Sequence, residues 1–398
     1  MTRLWLAAVC SETGEWMLQI ALPILVYQAT GSAASTAAMM ILGLVPAVLL
    51  SPAAGVLADR LDRRKLLLAV CVGQAVVAAP LLVTDGAAYL VMAGQASLAA
   101  LFEPARNALV PDLVGPDRVT AANGLLGSGT NVSRLAGAWL GGVLFATGGI
   151  DTVYLAYAAV LTVAALALLR PFHTKRREPA ERRSPWREWL DGLDLIRRDR
   201  GLWVTGTSML LGAISQGMFL VLFVPFVLDV LRAGPEGVGL LRGVQAVGGL
   251  VAGVGIVVLA RRVAPHRLFG WGAVAFGLLS AVVWNGPSVT VALGVYIGLF
   301  AASGVPGVVI QSGLLSALQT AVPPAATGRL MSSAYATLAL GNTVGMLLAG
   351  MLADVAGDTV LLDAQAAIYV LAGILVLVIR PKSAQHAPHA AVAEQASR

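Results

Sequence analysis

Charge is scarce in this sequence. Asp, Glu, Lys and Arg together make up 12% of the 398 residues, about half of the ~25% that is usual in soluble domains. Hydrophobic residues make up 58%, and the mean hydropathy is +0.80. A water-soluble protein has no means of burying so much apolar surface. The composition therefore excludes a soluble enzyme or binding module and indicates a chain that lies in a lipid bilayer.

The residues of common catalytic and metal sites are also missing. The two cysteines, Cys10 and Cys71, lie in apolar runs, and the four histidines have no spacing typical of zinc ligands. The sequence contains no G-x-x-x-x-G-K-S/T loop for a nucleoside triphosphate. We therefore expect no enzymatic activity, no catalytic residues, no cofactor and no bound metal. The net charge of +6 would suggest nucleic acid in a soluble protein, but the positions of the charges favour a membrane and no nucleic acid.

Twelve apolar runs predict an all-α integral membrane protein, because a membrane-spanning helix needs about 20 apolar residues. The runs are 4–27, 33–57, 66–83, 87–109, 119–146, 152–169, 202–228, 238–259, 268–284, 290–317, 330–353 and 363–379. They divide the chain into a six-helix bundle (1–169), a polar linker (170–201), a second six-helix bundle (202–380) and a disordered tail (381–398). The fold class is thus twelve transmembrane helices in two six-helix bundles.

The basic residues alternate between the two sides of these spans. The odd-numbered loops contain one basic residue, Arg232, whereas the even-numbered loops and the two tails contain 24. Cytoplasmic loops of membrane proteins are enriched in Lys and Arg. We therefore predict a multi-pass protein of the cell inner (cytoplasmic) membrane, with both termini and the linker in the cytoplasm.

The two halves of the chain resemble each other. Residues 167–171 (ALLRP) correspond to residues 377–381 (LVIRP), and Arg118 before span five corresponds to Arg329 before span eleven. The offset stays within 207–211 residues. A duplicated six-span unit accounts for this, and many carriers are built from such repeats.

The loop after span two contains the most specific motif. Residues 55–65 (GVLADRLDRRK) resemble the signature loop of the major facilitator superfamily, although Asp62 replaces its second glycine. The resemblance implies a latch on the cytoplasmic side, with Asp59 facing the start of span eleven near Arg329. The aspartate can sit near the positive end of a helix, and the arginines can pair with carboxylates, so the cluster can lock one conformation and release another. The expected latch residues are Gly55, Asp59, Arg60, Arg63, Arg64 and Glu103, the last within reach of Arg63 or Arg64.

Two further segments resemble the bacterial efflux branch of this superfamily. Residues 102–113 are similar to the end of its fourth span, and residues 134–142 (RLAGAWLGG) are similar to a span-five pattern of proton-coupled antiporters. Ala138 replaces the proline of that pattern. The resemblance implies a drug- or siderophore-efflux-like transporter.

Two carboxylates lie in the middle of span one. Glu12 and Glu15 are three residues apart and share a face of the helix. Ionised side chains at this depth are expensive and mark cavities or partners, so we expect the pair to couple protons or bind substrate, with Trp16, Gln19 and Arg134 nearby. The structural alternative is a buried ion pair of Glu12 or Glu15 with Arg134. We expect Arg242 to reach the membrane interface.

These features predict a secondary transporter that exports a hydrophobic or amphipathic molecule, such as a drug, an antibiotic or a siderophore-like compound, by proton-coupled alternating access. Its expected partners are a small-molecule substrate, protons and the bilayer, and we expect a monomer. Two alternatives remain: an importer or facilitator of a small polar nutrient on the same fold, and a non-transporting membrane sensor.

Overall fold

The apolar runs of the sequence form helices in the computed structural model, which describes residues 1–115, 118–170, 200–259, 263–322 and 324–379. Nearly all of the predicted linker (170–201) and the whole predicted tail (381–398) lie outside these described residues. Some side chains within the helices also lie outside the description. They are those of residues 47–48, 51–60, 108, 120, 254, 256–259, 324–326 and 328–329.

Twelve helices occupy the described residues and confirm the predicted architecture. Their bounds are α1 Thr2–Thr30, α2 Ala33–Arg60, α3 Arg63–Ala78, α4 Ala88–Val114, α5 119–147, α6 150–169, α7 Arg200–Pro225, α8 Gly234–Leu259, α9 Pro265–Asn285, α10 Leu293–Ala321, α11 Pro324–Ala356 and α12 Asp358–Val378. A π-helical turn, Phe226–Val230, extends α7. Each predicted span coincides with one helix, and the helix ends differ from the predicted ends by a few residues.

The boundary between α5 and α6 is a kink in one helical segment, Val119–Leu169. Gly148 and Gly149 have non-helical backbone angles, and Gly149 has φ 66°. Residues with a Cβ atom rarely adopt this left-handed conformation, whereas glycine adopts it at little cost. Gly149 thereby reverses the chain within the predicted loop 147–151.

Seven helical segments of the described residues are long and apolar enough to cross a membrane, judged by length and composition. They are Arg63–Leu82, Ala121–Leu169, Arg200–Val230, Pro265–Ser288, Leu293–Ala321, Leu330–Ala356 and Asp358–Val378. The segment Ala121–Leu169 contains two spans, α5 and α6, because the kink divides it. Helix α1 is less apolar because Glu12, Glu15 and Gln19 interrupt its middle.

The second six helices pair with one another as the first six do. Helix α1 packs on α5 as α7 packs on α11, α2 packs on α4 as α8 packs on α10, and α3 packs on α4 as α9 packs on α10. Each partner is shifted by six helices. The duplication that the sequence predicts is therefore visible as two bundles of the same design, α1–α6 and α7–α12.

Two helix pairs, α5 with α8 and α2 with α11, make the most extensive contacts between the bundles. We call the end of the molecule where α1 begins and α12 finishes the terminal end, and the other end, where α1 finishes, the opposite end. The helices of both pairs approach each other closely at the opposite end. A Cβ atom on Gly142 would lie 2.5 Å from the carbonyl oxygen of Pro235, and one on Gly350 would lie 2.8 Å from Cβ of Ala37. Small residues permit such close packing of membrane helices, and they close the opposite end.

The bundles separate toward the terminal end. Among the described residues, a Cβ atom on Gly124 or Gly127 of α5, or on Gly253 of α8, would meet no atom within 4 Å. Leu125 and Val251, in the same halves of these helices, are exposed. Along the described parts of α5 and α8, the two bundles are therefore in contact at the opposite end and apart at the terminal end, with a space between them that narrows toward the middle.

The close approach of α5 and α8 predicts the effect of a substitution at Gly239. A Cβ atom there would lie 3.0 Å from both Cα and N of Gly142. Gly239→Val should therefore push the helices apart at the opposite end, because overpacking a tight contact costs about 1–3 kcal/mol. Spin labels at the exposed positions Thr147 and Glu236 report this separation by double electron–electron resonance, and we expect a longer distance.

The measurement uses a background in which Cys10 and Cys71 are replaced by serine. Gly253→Val, on the same helix but in open space, is the matched control and should leave the distance unchanged. The same label distance in Gly239→Val and in the parent protein would contradict the close contact of α5 and α8 at the opposite end, which we call the closed seam.

Candidate functional site

The two carboxylates of α1 lie halfway along the helix and have different partners. Glu12 forms an ion pair with Arg106 of α4, in which Nη1 of the arginine donates to Oε1. The other carboxylate oxygen, Oε2, is buried and has no hydrogen-bond partner among the described residues. Nη2 of Arg106 also lies 3.6 Å from Oε1 of Glu103. Helices α1 and α4 are therefore joined by opposite charges deep in the N-terminal bundle.

These pairs correct two predictions. The counter-ion of Glu12 is Arg106 rather than Arg134. Arg106 lies about two turns inside the end of α4, so its side chain reaches α1 within the bundle. Glu103 lies beside Arg106 rather than Arg63 or Arg64, and its side chain is 70% exposed. The predicted pairing of Glu103 with Arg63 or Arg64 is therefore wrong.

Glu15 is the first member of a series of hydrogen bonds whose other members are uncharged residues. Nε2 of Gln74 on α3 donates to Oε1 of Glu15 at 3.2 Å, and Nε2 of Gln95 on α4 donates to the Gln74 carbonyl oxygen at 2.7 Å. The hydroxyl of Tyr157 on α6 donates to Oε1 of Gln95 at 2.6 Å. Gln74, Gln95 and Tyr157 are buried. Four helices of the N-terminal bundle thus support the half-buried carboxyl group of Glu15.

A second group of charges spans the two bundles at the same depth. The guanidinium carbons of Arg134 on α5 and of Arg242 on α8 each lie 5.9 Å from the ring centroid of Trp16. Arg242 also lies 5.0 Å from the ring centroid of Phe219 on α7. Cations are attracted to the faces of aromatic rings at such distances. The indole of Trp16 is therefore shared by one arginine from each bundle.

The position of Arg242 corrects the expectation that it reaches the membrane interface. Its Nη1 donates to Oε1 of Gln245 at 2.9 Å, and Nε2 of Gln245 donates to Ser303 on α10 at 3.3 Å. These contacts hold the side chain toward the centre of the molecule. Gln19, one turn beyond Trp16 on α1, is exposed and stands outside this hydrogen-bonded group.

The loop between α2 and α3 shows why this sequence departs from the family motif at Asp62. The Asp62 side chain accepts a hydrogen bond from the backbone N–H of Lys65 at 2.9 Å and caps the N-terminus of α3, a role that aspartate fills well. Arg63 forms an ion pair with Asp112 of α4. Nη1 of Arg64 donates to the carbonyl oxygen of Leu169 at the end of α6, at 2.6 Å.

The remaining latch prediction lies outside the described side chains. The structure gives helix positions but no side-chain surroundings for four residues of this prediction: Gly55, Asp59 and Arg60 on α2, and Arg329 on α11. The contact of Asp59 with the start of α11 therefore stays a prediction. The arginines that are described, Arg63 and Arg64, bind other helices of the N-terminal bundle.

The sequence reasoning missed four residues of this site: Arg106, Gln74, Gln95 and Tyr157. Gln74 and Gln95 did carry a signal, since each is a polar residue within an otherwise apolar run. Arg106 was counted among the basic residues that flank the loop after span four, whereas α4 continues beyond it to Val114. Nothing in the sequence distinguishes Tyr157 from other aromatic residues in spans.

This geometry defines a class of protein. Two repeated bundles enclose a space that is closed at one end, and buried charges from both bundles meet in its middle. Such an arrangement is typical of membrane carriers that expose a central site alternately to the two sides.

The comparison with known families places the chain within this class. The model of the Major Facilitator Superfamily matches residues 4–261, and the chain belongs to this superfamily of transporters. Multidrug efflux pump Tap of Mycobacterium tuberculosis is 29% identical over 375 residues, which cover 88% of this chain and 86% of Tap. Macrolide efflux protein A of Streptococcus pyogenes is 24% identical over 378 residues, which cover 88% of each chain.

Solved structures share the fold at low sequence identity. A bacterial homologue of the iron transporter ferroportin in its inward-facing state has a TM-score of 0.77 and 18% identity, covering 95% of this chain and 97% of that one. A structure of such a homologue in the outward-facing state has a TM-score of 0.61. Both likenesses lie at the level of the fold.

The pair of Glu12 and Arg106 predicts an asymmetric effect on stability. Arg106→Gln should lower the free energy of unfolding by about 3 kcal/mol, because it leaves the Glu12 carboxylate without its partner in a buried site. Glu12→Gln/Arg106→Gln should recover part of this loss, since both charges are then absent. Thermal unfolding of the purified protein in detergent measures both effects.

Glu103→Gln serves as the control, because that carboxylate is exposed and lies 3.6 Å from the same arginine. Exposed ion pairs contribute about 0–1 kcal/mol, so its melting temperature should stay close to that of the parent. Equal melting temperatures for Arg106→Gln and the parent would show that the pair contributes little.

Proposed function

We propose that this protein exports hydrophobic or amphipathic small molecules in exchange for protons, by alternating access. The observation that carries the proposal is the position of Glu15, a half-buried carboxyl group in the middle of α1 that accepts a hydrogen bond from Gln74 and precedes Trp16 in the chain. An ionised carboxylate is expensive at this depth, whereas the protonated group is neutral. Glu15 can therefore accept a proton from one side of the membrane and release it to the other.

The energy for export would come from the proton gradient. Each proton that moves inward through a potential of 100 mV yields about 2.3 kcal/mol. For this energy to be used, Glu15 must be reached from one side at a time. We propose that the contact between α5 and α8 separates Glu15 from the opposite end. The hydrogen bond from Gln74 holds the carboxyl group in place.

We propose that the terminal end faces the cytoplasm of a bacterial cell and that both termini lie there. The described basic residues Arg3, Lys65 and Arg267 lie at this end, whereas Arg232 lies at the opposite end. The excess of Lys and Arg in cytoplasmic loops supports this orientation. The space between the bundles then opens toward the cytoplasm and the inner leaflet, from which a substrate would be taken.

Export requires the terminal end to close and the α5–α8 seam to part. We propose that the α2–α3 loop, with Gly55, Asp59 and Arg60, acts as the latch that closes the terminal end, while Arg63 and Arg64 hold the loop to α4 and α6. The central site is built from both halves of one chain. The protein therefore needs no second copy, and we propose that it acts as a monomer.

The efflux relatives and the composition of the site support an apolar or amphipathic substrate. Trp16 and Phe219 present aromatic rings at the centre, and the neutral side chain of Gln245 there is hydrogen-bonded to Arg242 and Ser303. A carrier of small polar nutrients would be expected to offer more unpaired hydrogen-bonding groups to its substrate. This balance favours export of an amphipathic molecule over the uptake of a nutrient.

The orientation predicts which single cysteines can be labelled from outside. In a cysteine-free background, Asp85→Cys in the exposed loop before α4 should react with a membrane-impermeant maleimide in intact cells. Lys65→Cys, at the start of α3, should react only after permeabilisation. Mass shift on a gel measures both. The reverse pattern would contradict the proposed orientation.

The proton-coupling role predicts the effect of Glu15→Gln, which keeps the size of the side chain and removes the charge. The variant should insert normally and lose gradient-dependent efflux, because an amide does not exchange protons at this site. The measurement is the accumulation of a panel of labelled hydrophobic compounds, anionic, neutral and cationic, in cells with and without the protein, before and after a protonophore.

Glu236→Gln is the matched control, since that carboxylate lies exposed in the first turn of α8 at the opposite end, and its efflux should equal that of the parent. Immunoblots of membranes verify equal expression. Unchanged efflux in Glu15→Gln would exclude Glu15 as the coupling group.

A further inference from the structure

We infer that the transported molecule carries an anionic group, which binds between Arg134 and Arg242 beside Trp16. The inference deepens the proposed function and rests on it, because it takes the space between the bundles as the transport path. Its basis is that both guanidinium groups lie 5.9 Å from the same indole ring. One arginine comes from each bundle, and both lie in the middle of the membrane-spanning region.

Neither arginine has a compensating charge. Among the described residues, no carboxylate lies within ion-pair distance of either guanidinium group. Nε of Arg134 is buried and has no hydrogen-bond partner in that part of the chain. Arg242 donates to the neutral side chain of Gln245. Two unpaired positive charges at this depth are costly and mark a functional site.

The carboxylates closest along the chain are engaged elsewhere. Glu12 is paired with Arg106, which also lies near Glu103. Glu15 accepts a hydrogen bond from Gln74. These contacts fix the acidic groups on the α3 and α4 side of α1. The charge that Arg134 and Arg242 lack must therefore come from outside the described protein groups, and a bound anion supplies it.

The surroundings indicate what else this anion carries. The Trp16 ring lies 5.9 Å from both guanidinium groups, and the Phe219 ring lies 5.0 Å from that of Arg242. The five N–H groups of a guanidinium suit carboxylate and other oxyanions, whereas the aromatic rings suit an apolar body. The site therefore fits an amphipathic anion such as an aromatic carboxylate.

A bound anion would also link ligand binding to the movement of the bundles. Arg134 belongs to α5 and Arg242 to α8, the same helices whose glycines form the closed seam. A ligand that contacts both arginines differs in affinity between conformations that hold them together and conformations that separate them. Such a difference is what allows a ligand to shift a conformational equilibrium.

The test compares three naphthalene probes that differ in charge. Binding of tritiated naphthylacetate to the purified full-length protein in detergent is measured by scintillation proximity. Unlabelled naphthylacetamide, which is neutral and has the same shape, and naphthylethylammonium, a cation, are the competitors. We expect saturable binding of naphthylacetate, at least tenfold weaker competition by the amide, because hydrogen bonds to charged groups are the stronger ones, and no competition by the ammonium.

Variants assign the selectivity to the two arginines. Arg134→Gln and Arg242→Gln should each weaken naphthylacetate binding at least tenfold and leave the affinity for the amide almost unchanged. Arg134→Lys and Arg242→Lys keep the charge and should recover part of the binding, which guards against a loss caused by misfolding. Arg267→Gln, at an exposed arginine of the terminal end, should bind as the parent does.

Four results would overturn the inference. They are the absence of saturable naphthylacetate binding, equal affinities for naphthylacetate and naphthylacetamide, a preference for naphthylethylammonium, and the selectivity of the parent protein in both glutamine variants. These outcomes are separate from those of Glu15→Gln. Gradient-dependent efflux without anion selectivity would leave the proposed function standing and remove this inference. Anion selectivity without gradient-dependent efflux would leave this inference standing and remove the proposed proton coupling.

Discussion

A charge in the middle of a bilayer is tolerated only beside a partner or in a water-filled space, and this constraint organises the centre of the molecule. Glu12 satisfies it through Arg106, whereas Glu15 is held by Gln74 and stays half-buried. The arginines that face Trp16 lack a partner of opposite sign among the described residues. The N-terminal bundle therefore holds the acidic groups, and the boundary between the bundles holds unpaired basic ones.

The second constraint is the contact between backbones at the opposite end. Gly142 and Gly239 allow α5 and α8 to touch without intervening side chains, so the seam can form and part with little change inside either bundle. Because the helix pairs α5–α8 and α2–α11 are equivalent under the six-helix repeat, the two seams can change together. A repeated fold thus permits two related conformations, and we propose that the charges in its middle decide which molecules and ions cross.

The sequence was sufficient for the fold but only partly for the site. Hydrophobic length and the alternation of basic residues predicted twelve helices, since both follow directly from the thickness and electrostatics of a membrane. Side-chain partners were harder, because they depend on how helices rotate and pack. The structural alternative for Glu12 was an ion pair with Arg134, and Glu12 is paired with Arg106. Arg242 was expected at the interface and faces Trp16. Local spacing identifies which residues share a helix face, but the facing helix is set by tertiary packing.

The central claim is that protonation of Glu15 drives alternation of the two ends. The most direct test measures label distances at both ends by double electron–electron resonance, with pairs at Thr147 and Glu236 and at Ser128 and Val251, in acidic and alkaline buffer. The account predicts opposite changes: one pair lengthens as the other shortens, and Glu15→Gln abolishes the response to pH. Distances that stay fixed, that change in the same sense at both ends, or that still respond to pH in Glu15→Gln would contradict it.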